Sequence, residues 1–383
     1  MYIDPTSPIP KHVQFRKIIE RMIVDEELPI GAKLPSEWEL SKKYGVSRAT
    51  VRRALSDLIN EGVLFSYRGK GTFVVRPQKL DSKAYSSIQQ AIAFLSPSAP
   101  YNDYVTSRIS AGIEQTAQLN SRYVILTCSN DSVDWEKHIL EDLTKNHLVE
   151  GLVIIPSNQD YKLGHEHIAR LRDRGVPFIL VDKFFRDLPT DYVISDNETG
   201  AYKAVSHLIS LGHRRIGYVI GSEHMGTSIE DRLSGYKKAL IDHGLPFNPE
   251  FVIRMGEEGR ELRSLLHQKK FPSALFCVND LTALRVIRII NEEGMKVPDD
   301  VGVVGYDDMD ILKDIGINLT TVRQPLHEEG KMAVVKLMRR IRGEVKPDEL
   351  QRVVLTSTLI VRGSCGSSTK KIGPIYRSSK ERR

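Results

Sequence analysis

The sequence predicts a chain of two parts: an N-terminal winged helix–turn–helix and an α/β body of doubly wound parallel sheets. Three observations predict it. A short helix ending at Gly45 is followed by an amphipathic helix carrying Arg48, Arg52 and Arg53. Two short strands then flank the tip Arg68-Gly69-Lys70-Gly71. From about residue 90 onward, short apolar runs alternate with helical segments, the pattern of βαβ units.

Taken in order, residues 10–28 place Val13, Ile18, Ile19, Met22 and Ile23 at near-helical spacing, a first amphipathic helix. Pro29, Gly31 and Pro35 in "LPIGAKLP" stop it. Ser36-Glu37-Trp38-Glu39 reads as a capping box with Ser36 at the N-cap. The helix it opens runs to Tyr44, and Gly45 suits a left-handed cap. Ser47 caps the next helix, where Val51, Ala54, Leu55 and Leu58 form one apolar stripe and Ala49, Arg52 and Arg53 lie opposite, flanked by Arg48 and Thr50. A recognition helix needs this division: one side buried, the other free to enter a major groove, where arginine grips guanine edges or phosphates. "LFSYRGKGTFVV" reads as a wing, glycines removing bulk at its tip while Arg68 and Lys70 supply charge. A three-helix bundle beside a surface hairpin would show much of the same pattern.

The body follows. "AIAFLS", "RYVILTC", "EGLVIIP", "PFILVD", "RRIGYVIG", "PSALFCV" and "DVGVVGYD" read as buried parallel strands, with helices over 104–119, 199–211, 229–243 and 281–294. The units divide into two lobes, about 90–200 and 200–325. Ligands of such folds bind beyond the carboxyl ends of the strands. Polar residues fall there: Asp182 after "PFILV", Asn279-Asp280 after "ALFCV", and Asp307-Asp308 after "GVVGY". Carboxylates, amides and an arginine suit a polyhydroxyl ligand, although each residue alone, Asp280 above all, also suits a helix N-cap.

Composition narrows the function. The chain has 383 residues and a net charge of +6, unevenly placed: residues 1–80 hold 14 Lys/Arg against 9 Asp/Glu, and residues 364–383 hold 6 against 1. A basic front on a mildly acidic body points to a polyanion-binding module joined to something else, although basic segments are also common as solvated faces. Three dispersed cysteines without a Cys-x-x-Cys pair argue against a metal site or disulfide scaffold and fit a reducing compartment. "MYIDPTSPIPKHVQF" has no apolar signal core, and no run reaches the roughly 18 apolar residues of a membrane span. The expectation is a cytoplasmic protein with no membrane association, cofactor or metal. Gly-x-Ser-x-Gly, phosphate-loop and His-Glu-x-x-His patterns are absent, and "IGYVIGS" is no dinucleotide fingerprint. His165-Glu166-His167 is spaced too closely for a ligand pair and reads as a solvated loop or helix start. An enzyme acting on sugars or nucleotides is the alternative of another class.

Two resemblances sharpen these readings. "PIGAKLPSEWELSKKYGVSRATVRRALSDLINEGVLFSYRGKGTFV", within about 8–76, resembles the winged helix–turn–helix of the GntR family of bacterial repressors. It implies that Arg48, Thr50 and Arg52 contact double-stranded operator DNA and that Arg68, Gly69 and Lys70 form the wing tip. Ser36, Ser47 and Arg53 complete the expected DNA-facing set. Trp38 stands where many members carry arginine and cannot make that charged contact.

"VPFILVDK", "YVISDNETGAYKAVSHLISLGHRRIGYVIG", "SALFCVNDLTALRVI", "VPDDVGVVGYDD" and "TTVRQP" resemble the LacI-family effector domain, which is similar to periplasmic sugar-binding proteins. The match spans about 90–365. It implies effector contacts at Asp182, Arg232, Asn279 and Asp307, with Lys183 beside the first, Gln324 in a segment crossing between lobes, and Asp103 and Tyr104 after the first strand. The minor-groove hinge helix usual in LacI-type repressors has no counterpart.

The pairing resembles a group of Gram-positive repressors governed by L-arabinose. The expected organisation is a DNA-binding domain over 1–76, a linker over 77–90, an effector-binding and dimerisation domain over 91–365 and a basic tail over 366–383. The expected function is that of a homodimeric repressor on palindromic operator DNA, released by an inducer of the L-arabinose type. Another sugar or a purine, and a ligand that promotes DNA binding, stay open.

Overall fold

The computed structural model describes residues 10–24, 31–60, 63–67, 71–74, 91–145, 148–157, 161–221, 226–256, 258–268 and 271–366, with Ile3 and Leu28. The chain divides into two compact units, Met1–Ile88 and Gln89–Arg383. The wing tip 68–70, the expected linker 77–90 and residues 367–383 of the tail lie outside the described residues.

In the first unit, α1 (Lys11–Val24) buries Phe15, Ile18, Ile19 and Ile23. It is shorter than expected, and Phe15, not Val13, enters the core. α2 (Glu37–Tyr44) opens on the capping box: Glu39 N–H donates to Ser36 Oγ at 3.3 Å and Ser36 N–H donates to Glu39 Oε2 at 2.7 Å. Gly45 closes it at φ 65°, a left-handed conformation that costs glycine no Cβ clash. α3 (Arg48–Asn60) buries Val51, Ala54, Leu55 and Leu58 against α1 and α2. Each such aliphatic side chain contributes about 1.5–3 kcal/mol when fully removed from water. β1 (Leu64–Tyr67) and β2 (Gly71–Val74) pair antiparallel, Tyr67 opposite Gly71, and Lys33 bridges to Phe73 at the outer edge.

The second unit holds two six-stranded sheets. The first contains β3 (Ala91–Ser96), β4 (Tyr123–Cys128), β5 (Gly151–Ile154), β6 (Phe178–Val181), β7 (Tyr192–Ser195) and β13 (Arg352–Leu355), in the order β13-β7-β6-β5-β3-β4. All its pairings are parallel. The second contains β8 (Ile216–Ile220), β9 (Val252–Arg254), β10 (Ala274–Cys277), β11 (Gly302–Asp307), β12 (Thr320–Arg323) and β14 (Thr358–Ile360), in the order β14-β12-β11-β10-β8-β9. Only β14 runs antiparallel to its neighbour. β3, β5, β6, β8, β10 and β11 are buried throughout, as the unbroken apolar runs require of central strands. β4 is an exposed edge and not the buried strand expected from "RYVILTC".

Helices cover the sheets: α4 (Tyr104–Leu119), α5 (Val133–Lys145) and α6 (Tyr161–Asp173) in the first lobe, α7 (Asn197–Ser210), α8 (Thr227–Asp242), α9 (Arg260–Leu266), α10 (Asp280–Glu292) and α11 (Ile311–Asp314) in the second. α12 (Leu326–Ile341) packs on α4 and on β5, β6 and β7, so it returns to the first lobe. The lobes are therefore not the contiguous segments expected. The chain crosses between them after β7, after β12 and again between β13 and β14. Each lobe has one helix pair in backbone contact. A Cβ on Gly112 would lie 2.0 Å from the His327 carbonyl oxygen, and one on Gly235 would lie 2.1 Å from that of Glu198, so only glycine fits. His167 is buried on α6, and burial pushes its imidazole pKa down, so the solvated position expected for it is wrong.

Candidate functional site

The outward face of α3 is open. Arg48, Ala49, Arg52 and Arg53 are exposed, and Ser47 and Thr50 are tied together at the helix start. Ser47 Oγ accepts from Thr50 N–H at 3.1 Å and lies 2.8 Å from Thr50 Oγ1. Ser36 spends its hydroxyl on the α2 cap. Arg52 reaches back to α2, donating through Nη2 to Glu37 Oε2 at 2.8 Å and through Nε to Oε1 at 3.1 Å. That hydrogen bond holds the Glu37 carboxyl below its ordinary pKa. Trp38 is exposed, with the Lys42 ammonium 5.3 Å from its ring centroid. The helix thus offers exposed guanidinium groups, with Arg52 restrained by the part-exposed Glu37 carboxylate.

In the body, a cavity of about 370 Å³ opens at the carboxyl ends of both sheets. Asp103, Asp182 and Lys183 line it from the first lobe, and Arg232, Asn279 and Asp307 from the second. Asp182 follows β6 and Asp307 ends β11, at φ 65° and 116°. Such backbone is uncommon outside glycine and recurs where a side chain must be aimed. Burial raises both carboxyls above their ordinary pKa, Asp307 strongly, with the Arg232 charge opposing. Arg232 is itself buried and held from two sides. Its Nε donates to Asn197 Oδ1 at 2.8 Å, its Nη1 to the Val278 carbonyl at 2.6 Å, and its guanidinium lies 3.8 Å from the Tyr306 ring centroid. Nη2 stands 4.0 Å from Asp307 Oδ1, leaving a gap on the cavity side.

Two lining residues also hold helix starts. Asp103 Oδ2 accepts from Thr106 N–H at 2.7 Å and Asn279 Oδ1 from Thr282 N–H at 2.8 Å, so the N-cap alternative applies to Asn279 rather than to Asp280. Asp280 is wholly buried, accepting from Thr321 Oγ1 at 2.6 Å and Met309 N–H at 2.9 Å. Tyr104 and Gln324 are not among the lining residues. The Tyr104 hydroxyl donates across the lobes to the Asp308 carbonyl at 3.2 Å, and burial pushes its pKa to about 12. Gln324, in the second crossing, donates to Asp307 Oδ1 at 2.7 Å and so orients a lining carboxylate from behind.

Sequence reasoning missed Asp131 and Ser228, both in the lining. Asp131 follows β4, so the rule that found Asp182 would have found it. Ser228 sits in the first turn of α8, where no pattern marks it. Behind Asp131, Ser157 Oγ donates to its Oδ1 at 2.8 Å while Ser157 N–H donates to the buried Glu136 Oε2 at 2.8 Å. Burial pushes Glu136 to about 7. On α12, Glu329 accepts a short hydrogen bond from Ser195 Oγ, and burial, reinforced by the Asp182 charge, pushes it to about 8. The cavity is therefore backed by carboxyl groups that burial pushes up, and Arg232 is the deeply buried cation among its lining residues. Such a site presents many acceptor oxygens, suited to hydroxyl donors. Among the described residues no cluster of three His, Cys, Asp or Glu could hold a metal ion, and no helix is long and apolar enough to cross a membrane.

Comparison with known proteins follows the same division. Residues 13–74 match the family described as bacterial regulatory proteins, gntR family, and residues 205–365 match the periplasmic binding protein-like domain. The chain is 30% identical over 380 residues to the arabinose metabolism transcriptional repressor of Geobacillus stearothermophilus, covering 95% of this chain and 99% of that one. It is 28% identical to the protein of the same name from Halalkalibacterium halodurans, covering 93% and 96%. Among solved structures, a LacI family transcriptional regulator from Enterococcus faecium with bound ribose aligns at a TM-score of 0.60 and 27% identity, over 72% of this chain and 98% of that one.

Proposed function

From the premise that this chain belongs to the family of bacterial arabinose-metabolism repressors, with a GntR-type reader and a LacI-type body, we propose that it is released from operator DNA by L-arabinose. It is a sugar-responsive transcriptional repressor. The observation that supports the ligand assignment is the cavity between the lobes, which Asp103, Asp131, Asp182 and Asp307 line together with Arg232. A pentose offers a hydroxyl to each and brings no charge into a site already rich in carboxylates. Asn279 and Lys183 complete the first contacts, while Gln324 and Tyr104 act on the ligand through Asp307 and Asp308.

On the DNA side, Arg48, Thr50, Arg52 and Arg53 read the major groove, Ser36 and Ser47 approach phosphates, and Arg68, Gly69 and Lys70 form the wing contact. The protein acts in the cytoplasm as a homodimer, without catalysis. The exposed Leu119, Tyr123 and Leu126 at and beside the free β4 edge suit a twofold contact, which places two readers on a near-palindrome. A pentose other than arabinose is the second reading, favoured by the ribose-bound neighbour.

A thermal-shift panel of pentoses, hexoses and purines on the full chain tests the ligand. At 100 times its dissociation constant L-arabinose should stabilise by about 2.7 kcal/mol, and the same sugar should release operator in an anisotropy titration. A shift with another sugar alone overturns the arabinose assignment. No preference for any duplex over bulk competitor overturns the repressor reading.

A further inference from the structure

We propose that Arg186 is a positioning residue for the effector: with Asp231 and Glu230 it forms a charged latch that holds the two lobes together across the cleft and so sets how long the effector stays. The inference rests on the cleft being the effector site. Arg186, Glu230 and Asp231 lie outside the cavity lining.

The loop after β6 belongs to the first lobe and α8 to the second, and they meet twice. Phe184 N–H donates to Thr227 Oγ1 at 3.2 Å, and the Arg186 guanidinium forms a short ion pair with Asp231 while standing 3.7 Å from Glu230. The arginine is braced on its own side. Its guanidinium lies 5.6 Å from the Phe184 ring centroid, and that ring stacks on Tyr192 at 4.6 Å. Both elements carry two functions at adjacent positions. Asp182 and Lys183 face the cavity and Phe184 and Arg186 face the other lobe, while on α8 Ser228 and Arg232, four apart on one helix face, line the cavity and Thr227, Glu230 and Asp231 take the latch. Any motion that draws Arg232 away from Asp182 must therefore also part Arg186 from its two acids.

The exposure of the pair suits a reversible contact. The Arg186 side chain is half-exposed and that of Asp231 is 18% exposed, so water can take over the guanidinium when the lobes part and no wholly buried charge is stranded. A fully buried pair would lock the lobes and a fully solvated one would not hold them.

Charge reversal on the full-length protein is the test. Arg186→Glu sets three acids against one another, and Asp231→Lys sets a lysine against the arginine. Each should speed L-arabinose dissociation in stopped-flow by roughly 5- to 30-fold while leaving the association rate within a factor of about two. The double variant, with the pair reversed, should recover most of the loss. Neither residue touches the cavity, so a change confined to association, or a double variant as weak as the worse single one, would overturn the latch. If L-arabinose fails to bind the unmutated chain, the ligand assignment fails separately. Small-angle scattering of the four sugar-free proteins then decides: the single variants should show a larger radius of gyration than the unmutated and double-reversed chains, and four identical curves would overturn the proposal.

Discussion

The exposed helix α3 and the cleft between the lobes each carry an arginine, and they treat it in opposite ways. Arg52 keeps a side chain that is 67% exposed, restrained by Glu37 alone. Arg232 is 7% exposed and surrounded by an amide oxygen, a backbone carbonyl and an aromatic face. An arginine that must be handed to a polyanion is left solvated, so that transfer costs little desolvation. One buried in the interior is fixed by the protein through Nε and Nη1, while Nη2 stands 4.0 Å from Asp307 on the cavity side. The difference teaches that the same residue type announces binding at a surface and architecture in an interior, and only the neighbours say which.

Arg232→Met tests the interior half most severely. It leaves the Asn197 and Val278 acceptors and the carboxyls of Asp182 and Asp307 without their cation, and should cost about 3–5 kcal/mol in urea denaturation together with the sugar response. A loss below about 1 kcal/mol would mean that the cleft does not depend on it.

Glu329 sharpens the same contrast through pH. Its folded pKa of about 8 lies above the ordinary 4.5, so between those values the folded chain binds a proton that the unfolded chain has released. This contribution is fully present at low pH and is lost as pH rises toward 8, at up to about 1.4 kcal/mol per pH unit. Denaturation at pH 5.5 and 7.5 should show that fall in the unmutated chain and a shallower one in Glu329→Gln. Equal slopes would contradict it.

At the surface the balance inverts. Arg52→Ala should leave the melting temperature unchanged and weaken operator binding roughly 5- to 150-fold, with specificity relaxed at one base pair. A variant that melts early but binds normally would make Arg52 structural after all. The smallest effect belongs to Glu37→Ala. Freeing Arg52 should tighten operator binding about two- to fivefold at low salt and by less at high salt, read by anisotropy at two ionic strengths.

Local rules made much of this legible in the sequence. The capping box at Ser36, the left-handed Gly45 and the stripe on α3 are decided within a few residues, and the central strands are uniform apolar runs. β7, β12, β13 and β14 are harder to see, because "TTVR" and "RVVL" mix polar and apolar residues, although β12 lies buried between β11 and β14. The return of α12 to the first lobe depends on pairing across more than a hundred residues, which no local pattern encodes. In the cleft, position after a strand marked Asp182, Asn279 and Asp307, whereas Ser228 and Arg186 carry no local signal. Their surroundings come from the opposite lobe.

The three crossings have a consequence for how the molecule is made. β13 completes one sheet and β14 the other, and only two residues separate them. The first lobe cannot be finished on the ribosome until synthesis has passed Leu355, nor the second until it has passed Ile360, and a chain stopped at 350 would lack an outer strand from both sheets. Splitting the second unit at any single point cannot yield its two lobes as self-sufficient pieces. The stretch from Arg352 to Ile360 therefore acts as the drawstring of both lobes, and premature stop codons there should be as damaging as stops near the beginning of the second unit.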